Sequence, residues 1–485
     1  MTVAADPTMA QPSRRAGRPQ RRQPDQARLA AAEILQAVCE AGAYANLSAV
    51  SRLEHPDLTA LDRRFASALI YGTLSRLWTI DWILAQASHR PPEQLDPWLR
   101  AVLRLSIWQL NWSRTSPAPA VIDEAVRLAD ARLGHGPAGY ANALLRRLTR
   151  TPIVLPAGDL ALQTGLPPWL FGYLRKWLGQ DEALALAMSF LQPGGQSLAR
   201  INRLRAEPDR VRADLAAAGI TALPGRYCPE AIRIDLAGHP VRNLSAWRDG
   251  LLTMQDEAAM LVGYAAAPKS GWQILDLCAA PGGKTTHLAE LCRDNCRILA
   301  ADINPGRLEL VREQAVRLGL TSIACVAADA ISGQVLADAT DLADRGPFDL
   351  VLADVPCSGL GLLGRKPEIR LHLSHERLLA FYPIQSAMLR RAAALVRPGG
   401  VLIYSTCTIN PAENIDQVRL LLTEQPAWSL EPLTDLLPPD LLTDVTLAGQ
   451  AAAGYVQLLP HRHHLDGFFI ARLRKGAEDA EALPL

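Results

Sequence analysis

Asp276-Leu277-Cys278-Ala279-Ala280-Pro281-Gly282-Gly283-Lys284-Thr285-Thr286 reads as a strand end, a turn of small residues and the start of a helix. Small residues let backbone come close to a ligand, and a helix start presents free N–H groups to it. Gly282-Gly283-Lys284-Thr285 resembles the end of a P-loop, but position 278, where the first glycine of that loop would stand, is Cys. Nor does the stretch carry the G-x-G-x-x-G of a dinucleotide loop. Strands are expected at 273–277, 297–302, 323–327, 348–354 and 401–405, and helices at 285–292, 305–318 and 384–395. Strands alternating with helices predict βαβ units and a parallel, doubly wound sheet. Two final strands, at 455–459 and 467–474, follow one another without a helix and predict an antiparallel hairpin at the sheet edge.

Each strand of this pattern ends in chemistry. Asp302 closes the second strand, where an acid can accept the ribose hydroxyls of an adenosine moiety. Asp329 follows the third, within reach of an adenine amino group. Asp354-Val355-Pro356-Cys357-Ser358-Gly359 follows the fourth and Ser405-Thr406-Cys407-Thr408 the fifth, so both cysteines are expected at the carboxyl edge, in the ligand crevice of an open sheet. Paired thiols there suit a pyrimidine. A thiolate adding to carbon 6 of cytosine makes carbon 5 able to attack a sulfonium methyl. A carboxyl at ring nitrogen 3 steadies the developing charge, and a base then removes the carbon 5 proton. Two buried structural cysteines, or a disulfide, are the plainer alternatives.

Upstream, the 485-residue chain divides differently. Residues 1–25, rich in Pro, Gln and Arg, read as a disordered basic tail. Residues 26–150 read as all-helical, with apolar periodicity at 29–38, 65–77, 98–110 and 121–133, and with Arg146, Arg147 and Arg150 on a last helix. Residues 151–265 read as a small α+β unit, with Arg200, Arg203 and Arg205 alternating along a strand at 198–204. That alternation fits a basic, RNA-facing surface or a half-buried edge strand. The methyltransferase-type sheet is expected over 266–476. Net charge is +1, but residues 1–150 carry +6 and the rest −5, an asymmetry expected of a chain whose first part meets a polyanion.

No apolar run approaches the length of a membrane span, and the N-terminus lacks a signal core, so a cytoplasmic protein is expected. Eight scattered cysteines fit free thiols in a reducing compartment. Cys39, Cys228, Cys292, Cys296 and Cys325 are read as structural. His461, His463 and His464 are read as a loop, and no metal is expected.

Taken together, Met254-Gln255-Asp256-Glu257, the 276–286 turn, the 354–359 and 405–408 motifs, Arg397-Pro398-Gly399-Gly400, Glu413-Asn414 and Asp466-Gly467-Phe468-Phe469-Ile470 resemble the RNA cytosine-5 methyltransferases. The whole chain is similar to their bacterial 16S rRNA methyltransferase B branch. Residues 62–76 and 139–146 resemble its NusB-like helical RNA-binding domain, and 165–250 its small RNA-recognition-like unit.

The resemblance implies a Rossmann-like, S-adenosylmethionine-dependent enzyme that methylates cytosine in 16S rRNA. It implies Cys407 as the nucleophile, Cys357 as the residue that assists product release, Asp354 on the target base and Lys284 near cofactor and base. It implies a cofactor site formed by Cys278, Ala279, Ala280, Pro281, Gly282, Gly283, Lys284, Asp302, Asp329 and Asp354. RNA is the expected partner and a monomer the expected state. A tRNA substrate, or a NusB-like RNA-binding factor with an inactive methyltransferase domain, remain the competing readings. The stretch 331–345 is long and acidic for a simple connection.

Overall fold

The computed structural model describes residues 23–41, 52–192, 197–336 and 340–477. The expected basic tail lies, up to residue 22, outside them. Helices Gln26–Ala41, Ala60–Ser75, Leu77–Ala87, Pro97–Trp112, Ala118–Leu133 and His135–Arg150 make the first unit. Pro97–Trp112 is its axis. Asp96 caps it by accepting from the N–H groups of Trp98 and Leu99, and it is buried from Trp98 to Ile107 at all positions but Arg100. Its Arg104 forks onto Asp81 at 2.7 and 2.8 Å. The apolar period expected at 65–77 is divided at Arg76, which ends one helix and precedes the next. Arg146 and Arg150 line a cleft of about 730 Å³ between the last two helices of this unit, whereas Arg147 donates to the Ala87 carbonyl.

The second unit is an antiparallel sheet of β1 (Ser197–Ile201), β2 (Thr221–Pro224), β3 (Ala231–Asp235) and β4 (Leu252–Met254), in the order β2-β3-β1-β4. Helix Pro208–Ala217 packs on it through Val211 and Leu215. This corrects the reading of the arginine strand. β1 is internal, not an edge, and Arg200 is wholly buried rather than on a basic face. Its guanidinium forks onto Glu290 at 2.9 and 2.7 Å and donates to the Gly283 carbonyl at 2.9 Å, the Thr286 hydroxyl at 3.1 Å and Gln255. Period-two alternation placed the side chain off one face without saying what would meet it there.

The large sheet comprises β5 (Gln273–Asp276), β6 (Arg297–Asp302), β7 (Ile323–Ala327), β8 (Phe348–Asp354), β9 (Val396–Thr406), β10 (Trp428–Leu430), β11 (Tyr455–Leu458) and β12 (Phe468–Lys475). Its order is β10-β12-β9-β8-β5-β6-β7, with β11 also on β12; β5 to β9 are parallel and β12 runs against β9. Alternate residues serve opposite faces. Ile274, Leu350, Leu352 and Ile403 pack with Met260, Leu261 and Leu288 of helices Glu257–Ala266 and Gly283–Leu291. Leu275, Val351, Ala353 and Leu402 pack with Leu389, Val418 and Leu421 of helices His375–Leu395 and Ile415–Glu424.

Two expectations change. The last two strands do pair antiparallel, but a short helix, Pro460–His463, joins them, and β12 sits inside the sheet. Cys292 and Cys296 form a disulfide at the end of helix Gly283–Leu291, where free thiols were expected; the helix turn brings their Cα atoms to 6.2 Å. Near the long 331–345 stretch, isolated bridges pair Ala328 with Val335 and Gln334 with Asp341, and a 3₁₀ turn covers Leu342–Arg345. Among the described residues, no helix is long and apolar enough to cross a membrane.

Helices Pro168–Leu178 and Gln180–Ser189 share a core with Leu360, Leu363 and Ile409. Those residues lie in the loops that follow Cys357 and Cys407. Arg370, also in the first of these loops, is buried and donates to the carbonyls of Ser75, Gly165 and Leu363. The helical unit is therefore bonded directly to the loop behind one thiol.

Arg200→Ala strands the Glu290 carboxylate, only 7% exposed, without its partner. A loss of about 3 kcal/mol is expected in urea unfolding of the full chain. R200M/E290L, which removes both charges, is expected to recover most of it; a single mutant as stable as the parent would remove the strut from the account.

Candidate active site

The parallel pairing of β8 and β9 sets Asp354 opposite Ser405, and the Ser405 hydroxyl donates to Asp354 Oδ1 at 2.8 Å. Cys357 lies three residues past the first strand position and Cys407 two past the second. Their sulfurs come to 3.4 Å. Lys284 reaches across from the first turn of its helix, with Nζ 2.7 Å from Asp354 Oδ2 and 5.0 Å from the centroid of the Phe468 ring. Burial acts to lower the Lys284 pKa, but the charge and hydrogen bond of Asp354 overcome it and raise it.

The two thiols are not equivalent. Their hydrogen bond holds Cys407 below the ordinary thiol value, with Lys284 and Lys366 adding to this against burial and Asp354. The same bond, reinforced by burial, holds Cys357 well above it. A sulfur poised toward thiolate thus touches one that keeps its proton.

Behind the thiols lies a carboxylate. Glu413 is fully buried, and its oxygens accept from the Ser358 N–H at 2.8 Å, the Ser358 hydroxyl at 2.5 Å, Asn410 Nδ2 at 2.9 Å, Gln385 Nε2 at 3.0 Å and the Thr408 hydroxyl at 3.3 Å. The sequence showed Glu413 only as part of a matched motif. Its one local signal is an acid shortly after Cys407, and nothing there marks it as buried.

The remaining expected residues gather at the neighbouring strand ends. Ala279 N–H bonds the Ala301 carbonyl at 2.8 Å, which ties the 278–283 turn to the end of β6. Asp302 is 6% exposed and accepts from the N–H groups of Asn304 at 3.0 Å and Ala280 at 3.3 Å. Asp329 lies just past β7 and accepts from the Ile331 N–H at 2.8 Å. Gly282 takes φ +104°, a conformation open to glycine, and a Cβ there would stand 3.2 Å from the Val311 backbone. Burial lifts the Cys278 thiol. Asp276 Oδ2 accepts from the Thr285 hydroxyl at 2.6 Å, while Oδ1 is buried without a partner. An orphaned acceptor beneath a turn of small residues and a helix start fits a ligand that carries both an ammonium and a carboxylate.

Among the described residues, no group of three or more His, Cys, Asp or Glu is placed to hold a metal ion. His461 bonds Glu182 at 2.6 Å and His463 Nδ1 accepts from the Leu459 N–H at 2.8 Å.

Residues 264–474 match the model of the 16S rRNA methyltransferase RsmB/F family, 25–150 the NusB family and 166–241 the RsmF/B-like ferredoxin-like domain. The chain is 35% identical to a probable ribosomal RNA small subunit methyltransferase B of Synechocystis, over 91% of this chain and 98% of that one. It is 34% identical to ribosomal RNA small subunit methyltransferase B of Pseudomonas putida, over 92% and 98%. The crystal structure of PH0851 superposes with a TM-score of 0.76 at 26% identity, over 93% of this chain and 98% of that one. That of NSun6 from Pyrococcus horikoshii with SFG gives 0.53 at 22%, over 64% and 98%.

Burial pushes the Asp276 carboxyl up to about 7 from an ordinary 3.8; Asp354 acts in the same direction, against Thr285 and Lys284. The folded state therefore holds a proton that the unfolded state releases. The resulting stability is complete below the unfolded value and is lost as pH rises through about 7. Asp276→Asn is expected to flatten the fall in unfolding midpoint across that window. A parallel profile in both proteins would assign the pH dependence to another group.

Proposed function

The chain belongs to the 16S rRNA methyltransferase RsmB/F family, and from that premise we propose that it methylates carbon 5 of a cytosine through a covalent Cys407–cytosine intermediate. Methylation of small-subunit rRNA with S-adenosylmethionine follows from the family. The atom methylated and the covalent route are the reading argued from the site.

The observation that carries it is the 3.4 Å contact between two thiols of opposite tendency, beside a Lys284–Asp354 pair. Cys407, held toward thiolate, adds to carbon 6 of the base, and electron density moves toward carbon 5 and ring nitrogen 3. Asp354, fixed by Ser405 and Lys284, holds the base edge at nitrogen 3. S-adenosylmethionine, when bound, supplies an electrophilic methyl group to carbon 5. Loss of the carbon 5 proton to a base then re-forms the 5,6 double bond as the Cys407–carbon 6 bond breaks. Cys357 keeps its proton and donates a hydrogen bond to the departing Cys407 thiolate, so that both sulfurs return to their starting states.

Backbone from Cys278 to Gly283, with Lys284, Asp302, Asp329 and Asp354, would hold the cofactor, and Asp276 Oδ1 would meet its ammonium. The target base must leave its stack to reach sulfurs at the sheet edge. Arg146, whose Nε donates to Asn142 Oδ1, and Arg150 line a cleft on the unit that matches the NusB family, where guanidinium groups would meet phosphate.

The test is methyl transfer from labelled S-adenosylmethionine to unmodified 16S rRNA, with tRNA and DNA as separate substrates, followed by nucleoside mass spectrometry. Labelled 5-methylcytidine from 16S rRNA alone is expected; label in tRNA instead would move the substrate and keep the chemistry. Cys407→Ala is expected to abolish transfer and adduct, and Cys357→Ala to accumulate a protein–RNA complex that survives denaturation. The reverse pattern would exchange the two roles.

A further inference from the structure

Glu413 lies behind the sulfurs and takes no part in the steps above, yet each residue that follows a cysteine is bonded to it. Ser358, next after Cys357, gives it both its N–H at 2.8 Å and its hydroxyl at 2.5 Å. Thr408, next after Cys407, gives it a hydroxyl at 3.3 Å, and the Ser358 and Thr408 hydroxyls are themselves 2.8 Å apart. Asn410 bonds it from two residues further along that loop, and its side chain also engages Tyr173 at 2.8 Å and Tyr382 at 3.2 Å. Gln385 bridges Glu413 Oε2 and the Pro356 carbonyl, both at 3.0 Å, and so reaches the residue before Cys357 as well. The carboxylate's own backbone is fixed by the Tyr404 hydroxyl, which donates to its carbonyl at 2.6 Å.

We propose that Glu413 is the positioning residue that holds Cys357 and Cys407 in contact, and that without it the two thiols lose their division of labour. The proposal rests on the covalent reading of the site, but its central claim concerns the thiols alone.

The donor set explains why a carboxylate is needed. Five donors converge on two oxygens, and an ionised carboxyl offers about four lone-pair positions with no proton of its own. A glutamine of the same shape puts an NH2 at one of the two positions. At Oε2 that group would face two N–H donors, from Ser358 and Gln385. At Oε1 it would face two hydroxyls, which can rotate to accept, and the Asn410 amide, which must turn away. Glu413→Gln therefore keeps the volume and frees the 410 loop from the 358 loop. Contact between the sulfurs then weakens. Cys407 loses the hydrogen bond that lowers it, and Cys357 the sulfur that accepts its hydrogen bond.

The experiment compares full-length wild type, Glu413→Gln and Ser358→Ala. Ser358→Ala removes one hydroxyl and no charge, and serves if Glu413→Gln unfolds. Iodoacetamide alkylation of Cys407 is followed against pH by peptide mass spectrometry without RNA. Turnover and denaturation-resistant RNA adduct are then measured on 16S rRNA. Both variants are expected to alkylate at Cys407 only at higher pH than wild type. Turnover should fall roughly ten- to a hundredfold with KM for RNA and cofactor little changed, as for a misplacement approaching 1 Å, and the adduct fraction should rise.

A folded Glu413→Gln with an unchanged alkylation profile and unchanged turnover would overturn the proposal. So would a fall in turnover with the alkylation profile and adduct fraction unmoved, since that is what a merely structural defect gives. A shifted alkylation profile with no adduct in any protein, Cys357→Ala included, would keep Glu413 as the positioning residue and sink the covalent mechanism instead.

Discussion

The register between β8 and β9 is the constraint on which the site depends. Parallel strands need a crossover, here helix His375–Leu395, and that crossover brings the chain back so that Asp354 stands opposite Ser405. Because a parallel sheet turns all its strand ends one way, the chemistry carried by β5, β6, β7, β8 and β9 collects along a single edge. A slip of one residue would turn Asp354 to the other face and send the Pro-Cys loop off from a different point. The apolar pattern forbids that slip, since Val351 and Ala353 must share one core while Leu350 and Leu352 share the other. Burial of ordinary aliphatic side chains thus sets the points from which the two cysteine loops start.

Polar groups do the corresponding work between units. Arg200 ties the small sheet to the first turn of the helix that carries Lys284, and Arg370 ties the helical unit to the loop after Cys357. Each guanidinium is buried, and each donates to a backbone carbonyl of another unit. Such contacts add little net stability compared with apolar packing, but they are directional and tolerate few alternative arrangements. The ferredoxin-like unit is in this way joined to the helix that follows the 278–283 turn, and the NusB-like unit to the loop after Cys357.

Much of this could be read from the sequence because strand periodicity and motif position report on the same edge. Four acids, one lysine and two cysteines at successive strand ends required only that the sheet be parallel. The partners of those residues could not be read. Glu413, Gln385 and Ser358 meet through separations of 28 to 55 residues, and nothing local distinguishes a buried glutamate from a solvated one. Arg200 failed for the same reason, since alternation tells which face a side chain leaves by and not whether that face is covered. β10 is three residues long and was missed because so short a strand is set by its pairing with β12, not by its own pattern.

The asymmetry of the two thiols starts from their own hydrogen bond, which lowers Cys407 and raises Cys357. Burial and Asp354 oppose the lowering of Cys407 while Lys284 and Lys366 support it; burial, Cys407 and the Glu413 carboxylate all hold Cys357 up. Cations near Cys407 favour its thiolate, and a buried anion near Cys357 favours its thiol. Exchanging the two states would place negative charge against negative charge at Glu413 and leave the lysines facing a neutral sulfur. The same asymmetry gives direction to the chemistry. In the proposed mechanism the attacking sulfur is the one on which Lys284 and Asp354 both act, and the sulfur beside it hydrogen-bonds the thiolate as it leaves. Two cysteines in one site thus differ because of their mutual contact first and the charges around them second, and the contact depends on loops that the sheet register and the Glu413 carboxylate bring together.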